Sequence, residues 1–158
     1  MLERVPFMSE PKRGNTDPGK KAGAASIKPW GLAVRAIIRD GKKRVLLIRR
    51  SAQCGHFAGQ WEFPGGKVDA GETIDGALCR EVGEETGLKV SPTGVAGATA
   101  FEMAKVHVVL VYFDVVLRGG KVRLSAEHDG FAWVEPAKIR KLDLSPQIQT
   151  FLRRHAVN

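Results

Sequence analysis

Gly66-Lys-Val-Asp-Ala-Gly-Glu72-Thr-Ile-Asp-Gly-Ala-Leu-Cys-Arg80-Glu81-Val82-Gly83-Glu84-Glu85-Thr86-Gly87-Leu88 is the most informative stretch of this 158-residue chain. Ile74, Ala77, Leu78, Glu81, Val82 and Glu85 fall at helical spacings, and Gly87 stands where a left-handed C-terminal cap belongs, so the pattern predicts a helix over residues 73–86. On that helix Glu81, Glu84 and Glu85 occupy i, i+3 and i+4, which puts three carboxylates on one face about a turn apart. Like charges so placed repel, and folding alone gains nothing from them. The simplest compensation is a hard divalent cation with several oxygen ligands, Mg²⁺ where substrate phosphates complete its shell. Arg80 and Lys67 offset part of the repulsion. Gly65, Gly66 and Gly71 let the preceding loop bend sharply, and a loop carbonyl can add a further ligand. Against this stands a plainer reading, a solvated acidic face on which Arg80 only pairs with Glu84.

Working towards the N-terminus, Gly31-Leu-Ala-Val-Arg-Ala-Ile-Ile38 is an apolar run of strand length, Asp40-Gly41 a hairpin signal and Arg44-Val-Leu-Leu-Ile48 its returning strand. A polar, glycine-punctuated loop over 49–60 then leads into Trp61-Glu-Phe-Pro-Gly-Gly66, and such loops commonly carry function. Beyond the helix come Leu88-Lys-Val90, a Ser-Pro-Thr-Gly turn, a strand over 95–101 and the strongest strand signal, Val106 to Leu117, whose β-branched density predicts a central, buried strand. Phe131-Ala-Trp-Val134, a short helix over 136–141 and a terminal helix from Ser145-Pro146 to His155 complete the chain. Hairpins followed by mixed elements predict an α/β protein with a mixed β-sheet flanked by helices, not a doubly wound parallel sheet.

Taken jointly, Gly66, five residues, Glu72, seven residues, Arg80-Glu81-Val82, one residue, Glu84-Glu85, one residue and Gly87-Leu88 match the Nudix box at every fixed position. The flanking Leu47-Ile-Arg-Arg50 and Trp61-Glu-Phe-Pro-Gly-Gly-Lys67 resemble the MutT-like nucleoside triphosphate pyrophosphohydrolase branch of the Nudix hydrolases. The resemblance implies an α/β/α sandwich and attack of water on phosphorus in a nucleoside diphosphate linked to another group. By position it implies Glu84, Glu85 and the Gly66 carbonyl as metal ligands, with Glu81 a further ligand or the general base. Arg80 would orient a box glutamate, and Glu72 would help at the edge of the cluster. Glu127, in Ser125-Ala-Glu-His-Asp129, resembles the extra glutamate recruited as base or ligand, and also fits a solvated loop. Arg50 resembles a phosphate- or base-contacting arginine, Phe63 is placed where a ring could pack on a nucleobase, and Lys67 is a further substrate contact. The segment that should read the base departs from the MutT-like pattern, leaving Asp143 or Gln147 as candidates. Mg²⁺, with Mn²⁺ as a possible substitute, is the implied cofactor.

Composition bounds the rest. A hydrophobic fraction of 43% and a charged fraction of 27% are ordinary for a globular protein, and no apolar run approaches the ~20 residues that span a bilayer. Residues 1 to about 27 read as a flexible basic leader and 28–158 as one domain, with the cytoplasm the default location. Cys54 and Cys79 lack ligand spacing and read as free thiols. The net charge of +8 favours an anionic partner. A small nucleotide acted on by a monomer or homodimer is the leading partner, with a nucleotide sugar or dinucleoside polyphosphate as the next reading. A nucleotide- or RNA-binding module is the third, disfavoured because the few aromatic residues are not interleaved with the basic ones.

Overall fold

The structure, a computed structural model, describes residues 27–157. The expected flexible leader lies outside them except for its last residue. Strand β1, Trp30–Ile38, and strand β2, Val45–Arg50, flank the expected turn. Asp40 shapes that turn by accepting from the amides of Lys42 and Arg44, both at 2.9 Å, through its side chain. The two strands do not form the expected hairpin. Apart from one bridge between Arg39 and Val45 they diverge into different sheets. β1 runs parallel to β5, His107–Gly119, along its whole length, from Trp30 opposite His107 to Ile38 opposite Val115. β2 pairs antiparallel with β3, Trp61–Glu62, and with β6, His128–Val134. A turn signal is local, whereas the partner of a strand is chosen by which of its faces must be buried.

The central position expected of β5 is observed: the first sheet has the order β1-β5-β4, with β4, Lys89–Glu102, antiparallel to it. The Ser-Pro-Thr-Gly segment is not a turn. β4 continues through it with a shift of register between Pro92 and Gly94, and β4 is an edge strand, where a proline without an N–H is tolerated.

Alternation along the strands distributes the core onto two faces. Val34, Ala36 and Ile38 of β1 with Phe113 and Val115 of β5 pack on Ala77, Leu78 and Val82 of helix α1, Ile74–Thr86. Ala33, Ile37, Leu110 and Tyr112, from the opposite faces, pack on Ile148, Phe151 and Leu152 of the last helix. That helix, α3, covers Pro146–Arg154 and follows the short α2, Pro136–Ile139. Helices on both faces give the α/β/α arrangement.

Phe63 belongs to the second face of the core. It is fully buried, with edge-to-face contacts to Tyr112 and Phe151 at centroid distances of 6.3 and 6.2 Å. The expectation that it packs on a nucleobase is therefore corrected: its ring is enclosed in the core beside Tyr112 and Phe151.

Candidate active site

Helix α1 begins and ends as its sequence dictates. The Thr73 hydroxyl accepts from the Gly76 amide at 3.1 Å, and Gly87 closes the helix at φ 70° with its amide bonded to the Gly83 carbonyl. Two turns before that end Arg80 gathers the acidic residues. Its Nε and Nη2 each reach a Glu72 oxygen at 2.9 Å, and its Nη1 lies 3.0 Å from Glu81 and 3.3 Å from Glu84. Nη2 also donates to the Lys67 carbonyl at 3.2 Å, so the guanidinium joins the glycine loop to the helix. The hydrogen bonds to Glu72 and Glu81 raise the Arg80 pKa, and the same contact holds Glu72 below its ordinary value. Arg80 thus offsets the like-charge repulsion as expected, and pairs with more than its i+4 neighbour.

Gly66 lies against Glu81. A Cβ built at Gly66 would fall 2.4 to 2.6 Å from the Glu81 carboxyl atoms, so a side chain there would displace that carboxylate. The Gly66 carbonyl accepts from the Val34 amide at 2.8 Å, which uses one of its two lone pairs. Glu84 is 62% exposed, whereas Glu85 turns inwards, its Oε2 accepting from the Gly65 amide at 2.8 Å. Burial, together with the nearby Glu62 charge, pushes the Glu85 carboxyl up to about 7 in spite of Arg35, the Gly65 amide and His128.

Behind Glu85 lies a buried charge network that joins the expected Arg50 to Glu62 and adds Arg35 and His128, which the sequence did not single out. Glu62, 1% exposed, accepts from Arg35 Nη2 at 3.3 Å, Arg50 Nη1 at 2.9 Å and His128 Nε2 at 3.2 Å. Burial pushes Glu62 up, but Arg35, His128 and Arg50 together hold it down at about 2. Arg35 also donates to the carbonyls of Phe63 and Gly65 and to Gln147 Oε1. A signal for it existed: Arg35 shares a face of β1 with Ala33 and Ile37, so a charge was placed where alternation calls for an apolar residue.

Oxygens of Glu62 and Glu85 and a His128 ring nitrogen lie within 4.8 Å of one another, the arrangement among the described residues with metal-ligand spacing. Both Glu62 oxygens, however, already face guanidinium groups, which repel a cation. Glu81 and Glu84 face a guanidinium too, that of Arg80, and of the three carboxylates expected as ligands only Glu85 belongs to the arrangement with Glu62 and His128, while Gly66 lies directly against Glu81.

Beside this cluster opens a cavity of about 530 Å³. Leu32, Val106, Val108 and Leu110 supply apolar wall, while Arg35, Arg50, Lys67 and Gln147 supply polar groups. Of the expected substrate residues, Arg50, Lys67 and Gln147 thus meet at one site. Asp143 does not join them: it is exposed, its carboxylate accepts from Gln60, and its carbonyl accepts from the Trp61 amide, fastening the α2–α3 connection to β3. The Glu127 side chain is exposed, and its carbonyl accepts from the Ser51 amide at 2.8 Å and Cys54 Sγ at 3.1 Å. Its charge lies close enough to help raise the pKa of Arg50.

Residues 29–155 match the family described as NUDIX domain. The chain belongs to the Nudix family. It is 36% identical over 102 residues to the putative 8-oxo-dGTP diphosphatase 2 of Mycobacterium tuberculosis, covering 64% of this chain and 72% of that one. It is 29% identical over 119 residues to the nucleoside triphosphatase NudI of Escherichia coli, covering 68% and 84%. Among solved structures, the MutT protein of Methanosarcina mazei superimposes with a TM-score of 0.75 at 37% identity, covering 81% of this chain and 94% of that one. These likenesses make it a MutT-like Nudix hydrolase. Nudix hydrolases depend on divalent metal, and among the described residues Glu62, Glu85 and His128 form a cluster that could hold one.

Proposed function

We propose that this Nudix hydrolase is a Mg²⁺-dependent pyrophosphohydrolase of a nucleoside triphosphate, releasing a nucleoside monophosphate and pyrophosphate. One observation carries the reading: the glycine loop beneath Glu81 adjoins a cavity with apolar walls and basic groups, so one ligand can place an aromatic base and a polyphosphate at once. The names of the triphosphate-acting relatives support the choice of substrate class.

Glu81, Glu84, Glu85 and the Gly66 carbonyl would hold the ion. Bound there, it would supply charge neutralisation on phosphate oxygens and a lowered pKa for the attacking water. Arg50 and Lys67 bind phosphate oxygens and align the scissile bond. Glu81 accepts the proton of the attacking water as the new P–O bond forms and the bond to the departing pyrophosphate breaks. Glu127 is the alternative base, being anchored through its backbone beside Ser51 and Arg50. Arg80 holds Glu81 in place, and Gln147 at the start of α3 reads the base.

We assign the protein to the cytoplasm as a monomer or homodimer; no helix of the described residues is long and apolar enough to cross a membrane. The deciding experiment is a screen with Mg²⁺ against nucleoside triphosphates, oxidised nucleotides, nucleotide sugars and dinucleoside polyphosphates, with products identified by mass. Pyrophosphate and a monophosphate from a triphosphate support the reading. Turnover confined to nucleotide sugars or dinucleoside polyphosphates, or no turnover at all, overturns it.

A further inference from the structure

With Phe63 in the core, another ring must face the base if any does. Of the described residues lining the cavity, Phe57 alone bears a phenyl, phenol or indole ring. Its backbone φ is 56°, a left-handed conformation uncommon for a residue with a bulky side chain. Such a conformation persists only where its surroundings over-determine it, and here they do. The Arg50 amide donates to the Gln60 carbonyl at 3.0 Å, the Gly59 amide to the Arg50 carbonyl at 2.9 Å, and the Gln60 amide to the Phe57 carbonyl at 3.0 Å. Arg50 Nε adds a bond of 2.8 Å to the His56 carbonyl. The loop carrying Phe57 is therefore fastened to Arg50, which itself lines the cavity.

Phe57 reaches from the β2–β3 loop to the end of β4. Its ring meets Phe101 of β4 edge to face at a centroid distance of 5.8 Å, next to Met103 and Val106 of the same wall. It remains only half-buried. A ring whose purpose was the contact with Phe101 would not need a disfavoured backbone held by four hydrogen bonds, nor a place on the cavity wall.

We propose that Phe57 is a substrate-binding residue whose ring packs against the nucleobase. The proposal rests on the reading of the cavity as a nucleotide site, but not on which bond is cleaved. The loop makes one guanidinium and one ring a unit, so the polar contact of Arg50 and the stacking surface of Phe57 are set at a fixed separation.

Phe57→Gly tests it without endangering the fold, because glycine adopts a positive φ at no steric cost. Loss of a stacking partner should raise KM for the hydrolysed triphosphate by about five- to a hundredfold, with the effect on KM and not on kcat, and with the melting temperature unchanged or raised. Phe57→Trp should restore KM, and its added indole fluorescence should be quenched by GMP but not by ribose 5-phosphate, measured against the wild-type protein. That second reading needs no hydrolysis: quenching by GMP in a protein that turns over no triphosphate would uphold the base-packing role while the proposed reaction fell. An unchanged KM in Phe57→Gly, or equal responses of Phe57→Trp to GMP and ribose 5-phosphate, overturns the proposal.

Discussion

Glu85 Oε2 accepts a hydrogen bond from the Gly65 amide at 2.8 Å, tying the last glutamate of helix α1 to the loop that precedes the helix. The contact draws a carboxylate into a buried position, and burial raises its pKa from 4.5 to about 7. A carboxyl raised on folding binds its proton more tightly in the native state, so stability falls as pH rises from about 4.5 to about 7 and the loss persists above. In chelator, Glu85→Gln should therefore match the wild type near pH 4 and exceed it at pH 8, by up to roughly 3 kcal/mol from the size of the shift. Denaturant titrations of both proteins at the two pH values check this, and a gain independent of pH would refute the assigned cause.

Glu84 differs because it is exposed and, among the described residues, bonded only to Arg80, itself shared with Glu72 and Glu81. Glu84→Gln should leave folding intact and lower kcat by about a hundredfold or more, the scale of losing one anionic ligand from metal-assisted phosphoryl chemistry. Single-turnover assays beside a thermal melt separate the two effects.

Arg35 and Glu62 behave in the opposite manner to Glu85. Glu62 is held at about 2 instead of 4.5, so its contribution to stability is present above about pH 4.5 and is lost as pH falls towards 2. Arg35→Met removes one guanidinium from a carboxylate that is 1% exposed, and breaking a buried pair from one side costs about 3–5 kcal/mol. Urea midpoints at pH 6 and pH 3 should show a large loss at the first and a smaller one at the second.

Phe63→Ala should cost about 3–5 kcal/mol of stability, the range for emptying a buried aromatic site. KM of the protein that remains folded should change little. A rise in KM without a loss of stability would return Phe63 to the substrate.

Chelation should stop turnover while leaving the far-ultraviolet circular dichroism unchanged. Helix α1 is held by the Thr73 cap, the Arg80–Glu72 fork and its packing through Ala77, Leu78 and Val82. A helix that melted on chelation would show that the ion is structural.

Helix α1 was legible in the sequence because cap, periodicity and terminating glycine are local and agree. The divergence of β1 and β2 was not, since the Asp40 turn is the same whether its flanking strands pair with each other or with β5 and β6. Phe63 misled for a related reason: an apolar ring beside a glycine loop suits a core or a pocket equally, and only Tyr112 and Phe151, distant in sequence, decide between them. Arg35, Glu62 and His128 come from three strands, so no spacing could announce their meeting. Between Asp143 and Gln147 the sequence could not choose, because that segment departs from the MutT-like pattern, and only the fold sets Gln147 on the cavity wall.

Gly65 and Gly66 stand side by side yet are closed to side chains for different reasons. A Cβ at Gly65 would meet the Val34 carbonyl oxygen at 2.2 Å, with φ at 137°, and neither strand backbone nor loop can step aside. A Cβ at Gly66 would meet only the tip of the Glu81 side chain, which can swing away. A survey of every substitution at the two sites should therefore yield two kinds of defective protein from neighbouring codons: chains that fail to accumulate from the first, and well-folded, inert chains from the second, because the carboxylate that moved is the one proposed to take the proton of the attacking water.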